Sequence, residues 1–112
     1  MSRVGNCSPF FSFDKYLVIM SLQFEWDEQK ADLNAIKHGV SFEEAKTVFA
    51  DLGSITIADL EHSIDEDRYI DLGISACGRL LVVVYNTERG NSIRIISSRC
   101  ANNREIRSYE KC

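Results

Sequence analysis

The period of the hydrophobic positions changes partway along the chain, from helical to alternating. Residues 22–26 alternate briefly between apolar and polar and run into Asp27, a residue suited to capping a helix. The spacing predicts a helix over 28–38, ended by Gly39 in the left-handed conformation that stops helices. Leu33, Ile36 and Val40 are its expected apolar stripe, with Lys30, Asn34 and Lys37 together on another face. Ser41, with Glu44 three residues on, predicts a capping box opening a second helix. Phe42, Ala45, Val48 and Phe49 are its expected buried side, and residues 51–53 break it.

From residue 54 the period falls to two. Residues 54–58 and 68–75 alternate as half-buried strands do, whereas 80–85 is continuously apolar, as expected of a central strand covered on both faces. Residues 76–78 and 88–91 supply turns, and 93–99 is the fourth strand. Asn102, with Glu105 three residues later, caps a last helix expected to reach Lys111. The reading is an α+β fold, ααββββα, with a four-stranded antiparallel meander sheet packed against helices.

A chain of 112 residues with 45% hydrophobic and 27% charged residues fits one globular domain. No apolar run approaches the roughly 18 residues of a membrane span, so no membrane is expected among its partners. Cys7, Cys77, Cys100 and Cys112 form no CxxC pair and read as reduced thiols of a cytoplasmic protein. The first 19 residues hold no sustained period, and Asp14 and Lys15 interrupt their apolar stretch as no signal peptide would. Either Met20 is the expected biological start, with residues 1–19 non-native, or residues 1–19 form a disordered, loosely held extension, and 20–112 is the expected domain.

Charge adds the first functional hint. The chain holds 13 Lys and Arg against 17 Asp and Glu, yet from Arg89 onward six basic residues meet two acidic ones. Positive charge thus gathers at the end of an acidic chain, as expected of one face built for a polyanion. Arg94, Arg99, Arg104, Arg107 and Lys111 fall within about twenty residues, and the last three share a helix face by spacing. Ile106 and Tyr109 are expected to anchor the other side of that helix. Guanidinium forks bind phosphate oxygens in pairs, and Tyr85 and Tyr109 add surfaces on which bases stack.

Other chemistries lack their residues. The sequence has no Walker-type phosphate loop, no Ser-His-Asp signature and no HExxH helix. The acidic stretch around 59–67 lacks the glycine and terminal glutamate of a calcium loop and reads as a solvated connection. No metal site and no cofactor are expected. His38 reads as a helix C-terminal residue, whereas His62, with Ser63 and Arg68 beside it in sequence, stays a candidate for chemistry.

Several stretches taken together resemble the BrnT family. They are Phe24-Glu-Trp-Asp-Glu-Gln-Lys30, Asn34-Ala-Ile-Lys-His-Gly-Val-Ser-Phe42, Ala45 with Phe49-Ala-Asp51, and His62-Ser63. Arg68-Tyr-Ile-Asp-Leu-Gly73, Gly78-Arg-Leu-Leu-Val-Val-Val-Tyr85, Glu88-Arg89 and Arg94-Ile-Ile-Ser-Ser-Arg99 continue it. Ala101, Arg104-Glu105, Arg107 and Tyr109 complete a likeness over roughly residues 22–111. Ile106, Ser98 and Ile64-Asp65 depart from it, standing where the family often has a basic residue, alanine and Gly-Glu.

The resemblance implies a RelE-like ribonuclease toxin of a bacterial type II toxin–antitoxin system, acting in the cytoplasm to halt translation. Its implied partners are RNA and a BrnA-like antitoxin with a ribbon-helix-helix end, and operator DNA is met only through the antitoxin complex. With no metal site, the expected reaction is attack by the RNA's own 2′-hydroxyl on the adjacent phosphorus. Arg94, Arg99 and Arg104 are the expected phosphate clamp. Arg107, Lys111, Arg79 and Lys30 are the expected outer RNA contacts. Glu105, Tyr109 and His62 are candidates for proton transfer, and the sequence does not choose among them. The competing reading is a non-catalytic nucleic-acid- or protein-binding module, a toxin fold that has lost its activity.

Overall fold

The computed structural model describes residues 22–58, 68–87 and 92–110. The predicted extension at 1–19, His62 and Lys111 lie outside them. The described elements are β1 (Gln23–Glu25), α1 (Glu28–His38), α2 (Phe42–Lys46), β2 (Ile55–Ala58), β3 (Arg68–Ile74), β4 (Leu80–Thr87), β5 (Ser92–Cys100) and α3 (Asn103–Glu110). A 3-10 turn, Thr47–Ala50, prolongs α2. No helix among the described residues is long and apolar enough to cross a membrane.

The strands order β1-β5-β4-β3-β2, so the expected meander from β2 to β5 is present and β4 is central. The expectation of four antiparallel strands is corrected by β1, which pairs parallel to β5 and makes the sheet five-stranded and mixed. Three residues of alternation are too few to declare a strand, and a parallel partner from the far end of the chain leaves no local turn signal.

Helix α1 has its predicted bounds. The Asp27 carboxylate accepts from Gln29 N at 2.9 Å, and Gly39 closes the helix at φ 70°. Its buried side, however, is not the apolar stripe. Leu33 and Ile36 are 65% and 82% exposed, while Asn34 is buried against the sheet. The Asn34 amide nitrogen donates to Val40 O at 2.9 Å and Ser98 O at 2.8 Å, and its oxygen accepts from Ser98 N at 3.1 Å. Strand β1 pairs with β5 only from Ser92 to Arg94, so farther along β5 the Asn34 carboxamide stands in for the missing strand.

Helix α2 carries half of its predicted capping box. The Ser41 hydroxyl accepts from Glu44 N at 3.0 Å, but the Glu44 carboxylate turns to Arg79 and Ser75. Behind it Val40, Phe42, Ala45 and Val48 meet Leu81, Val83, Tyr85, Ile93 and Ile95 to form the core. Trp26 packs edge-on against Phe42, with ring centroids 5.8 Å apart. Cys100 is a free thiol, whereas Cys77 is disulfide-bonded; spacing along a chain does not show which cysteines a fold brings together.

Candidate nucleic-acid interface

In a regular strand Arg94 and Arg99, five residues apart, would project from opposite faces. In β5 they do not. Val84 lies opposite Ser97 while its neighbour Tyr85 lies opposite Ile95, which leaves Ile96 as an extra residue. Such a bulge resets the alternation. Arg94 then pairs with Asn86 and Arg99 with Val82, two residues of β4 that share a face because they are four apart. Both arginines therefore stand on the face away from the core helices, about 13 Å apart along the strand.

The two ends of this face differ. At one end Arg68 pairs with Asn86 and Asn86 with Arg94, a polar row across β3, β4 and β5. Arg94 also reaches Glu25 of β1 at 3.8 Å, a contact between half-exposed side chains. Arg68 was not among the residues expected here. It opens its strand beyond an acidic stretch, and only the cross-strand register aligns it with Arg94.

At the other end α3 crosses the sheet from the end of β5 towards the end of β3, with Ala101 N bonded to Leu80 O beneath it. Arg99 and Glu105 form a two-pronged pair at 2.9 and 2.8 Å. Glu105 also completes the predicted cap: it accepts from Asn102 N at 2.9 Å, and the Asn102 side chain accepts from Glu105 N at 2.8 Å. The Arg99 guanidinium holds the Glu105 carboxyl below the usual carboxylate range, overcoming its partial burial, so it is an anion at neutral pH. The fit of cap and ion pair fixes Arg99 rather than leaving it to sample solvent.

Tyr109, in the last turn of α3, donates its hydroxyl proton to Asp51 Oδ2 at 2.6 Å. Partial burial, with the Asp51 hydrogen bond and charge, pushes its phenol up to about 12. Arg104 and Arg107 are exposed on α3, and among the described residues neither forms an ion pair. Neither Arg79 nor Lys30 joins this face. Arg79 is locked on the core-helix side, its Nε 3.0 Å from the buried Glu44 carboxylate and its terminal nitrogen 3.0 Å from Gly39 O. Lys30 is exposed on α1, on that same side. Burial works to raise the Glu44 carboxyl, but the bonds from Arg79 and Ser75 outweigh it and hold it low. Among the described residues no three His, Cys, Asp or Glu side chains gather to hold a metal.

The mixed sheet thus has helices on one face and Arg68, Arg94 and Arg99 in rows of the other, with α3, which carries Arg104 and Arg107, at one end. The family described as "Ribonuclease toxin, BrnT, of type II toxin-antitoxin system" matches over residues 26–105, and the chain belongs to it. Among solved structures, the chain resembles the crystal structure of the Brucella abortus ribonuclease toxin BrnT. The TM-score is 0.54 and the identity 21%, over 73% of this chain and 99% of that one, a likeness of fold. No curated protein matches the chain.

Proposed function

We propose that this ribonuclease toxin cuts RNA without a metal ion, inhibits translation in the cytoplasm, and is neutralised by a BrnA-like antitoxin. The observation that carries the reading is the bulge at Ile96, which gathers Arg94 and Arg99 on one open face with α3 at its end. The 2′-oxygen attacks the adjacent phosphorus and the 5′-oxygen leaves, giving a 2′,3′-cyclic phosphate and a 5′-hydroxyl. One proton leaves the 2′-hydroxyl and one is returned to the departing oxygen.

Arg99 and Arg104 neutralise the phosphate and the charge that grows on it, while Arg94, about 13 Å away along β5, meets a neighbouring phosphate, with Arg107 and Lys111 along the strand of RNA. Glu105 orients Arg99. Its lowered pKa makes it a weak base, and a phenol pushed up to about 12 stays protonated at neutral pH and gives up its proton reluctantly, so Tyr109 is a poor proton carrier too. His62, whose ordinary imidazole range spans neutral pH, is the proposed proton carrier. The antitoxin occupies the toxin, and the pair meets operator DNA through the antitoxin's ribbon-helix-helix end.

Controlled expression in a bacterium, followed by growth and total RNA, tests this. Arrest with RNA cleavage is expected, relieved by co-expression of a BrnA-like antitoxin. Arg99→Ala is expected to remove the arrest at equal soluble expression. An Arg99→Ala variant as toxic as the parent takes Arg99 out of the site. One observation favours a second reading: both terminal nitrogens of Arg99 are already engaged by Glu105. Purified protein that binds RNA with a steep salt dependence and never cuts it identifies that non-catalytic module.

A further inference from the structure

Helix α3 carries four of the proposed RNA-contacting residues or their supports, yet none of its described residues is buried. Ile106 and Tyr109 are only partly buried, and two polar links add to their packing, one at each end. The first is the Arg99–Glu105 pair; the second is the bond from Tyr109 to Asp51.

Asp51 is a fixed acceptor, not a loose side chain. Its Oδ1 accepts from Gly53 N at 2.9 Å and its Oδ2 from Ile74 N at 2.8 Å, besides Tyr109. Two glycines leave room for the link. A Cβ at Gly73 would stand 3.1 Å from Asp51 Oδ2 and 2.9 Å from Val48 Cγ1, and one at Gly53 would meet the Tyr109 hydroxyl at 3.4 Å. The seat thus joins the end of α2's 3-10 turn, the end of β3 and the last turn of α3. Tyr109 lies one turn beyond Glu105 on the same face of α3, so the seat gives the helix a second fixed point along its length.

We propose that Asp51 is a positioning residue for RNA cleavage: through Tyr109 it holds α3 in the register that sets Glu105 against Arg99 and presents Arg104. This rests on the ribonuclease reading above. It separates Tyr109 from the proton-transfer candidates, because its hydroxyl serves the helix and not the RNA. Positions of reacting groups are worth large factors in rate, and a small shift of a supporting helix is enough to lose one.

The test uses the full chain with Tyr109→Phe, Asp51→Asn and the double variant, on a single-stranded RNA oligonucleotide under single-turnover conditions. Circular dichroism and thermal melting first establish that each folds. Both single variants are expected to cut about tenfold more slowly with little change in RNA affinity, and the double variant no more slowly than either. The pH–rate profile is expected to keep its shape in Tyr109→Phe. Amide exchange in α3 is expected to speed up in all three.

Loss of a limb of the pH–rate profile in Tyr109→Phe alone, with Asp51→Asn near the parent, makes Tyr109 a proton carrier and overturns the proposal. Folded variants that cut as fast as the parent overturn it while leaving the ribonuclease reading in place. A parent protein that leaves RNA intact overturns both.

Discussion

Ser98 shows how much a single buried atom decides. Its backbone is bonded on both sides to Asn34, yet its hydroxyl oxygen is buried with no hydrogen-bond partner among the described residues. A buried hydroxyl without a partner costs more than the methyl group it replaces. Ser98→Ala is expected to raise the unfolding free energy by about 1 kcal/mol, read by denaturant titration; a loss of similar size would contradict the orphaned hydroxyl.

Asp71 is the opposite case, a buried carboxylate with partners. Burial raises its pKa, while a bond from Tyr85 Oη at 2.9 Å and one to Thr56 pull the other way without cancelling it. A carboxyl raised in the folded state contributes its stability below the unfolded pKa and loses it as pH rises through the folded value. Asp71→Asn, which cannot ionise, is therefore expected to lose less stability than the parent between acid and neutral pH. The two melting temperatures should draw apart as pH rises. Curves that stay parallel would place the Asp71 charge in no special environment.

At the scale of elements, α1 and β5 show what a sequence displays and what it hides. The ends of α1 were plain in the sequence because Asp27 and Gly39 act locally, within a turn of the residues they cap. Its buried side was not, because the neighbouring strand offers unpaired peptide groups rather than apolar side chains, and only an amide can satisfy those. Asn34→Ala is accordingly expected to cost about 3 kcal/mol, whereas Ile36→Ser on the exposed side should change stability by less than about 0.5 kcal/mol. The reverse order in chemical denaturation would restore the apolar stripe.

The bulge in β5 was equally hidden. Alternation counted along 93–99 separates Arg94 from Arg99, and only pairing with β4 reveals the extra residue at Ile96. The capping of α3 by Asn102 and Glu105 was legible, being local, but not that Glu105 also grips Arg99. Of the candidate residues, Arg94, Arg99, Arg104, Glu105 and Arg107 lie on or beside the open face, whereas the outer candidates Arg79 and Lys30 lie on the helix-covered side.

At the scale of the whole molecule, the fold divides labour between the two faces of one sheet. The helix-covered face holds the core and spends Arg79 on a buried ion pair with Glu44. The open face keeps Arg94 and Arg99 half-exposed, and α3 closes one end.

The most direct test is incubation of the purified full-length chain with single-stranded RNA in the presence of a chelator, with the product ends identified. Cleavage to 2′,3′-cyclic phosphate and 5′-hydroxyl ends is predicted, slowed on the order of 100-fold in Arg99→Ala. Uncut RNA, cleavage that the chelator abolishes, or products with 3′-hydroxyl and 5′-phosphate ends would contradict it.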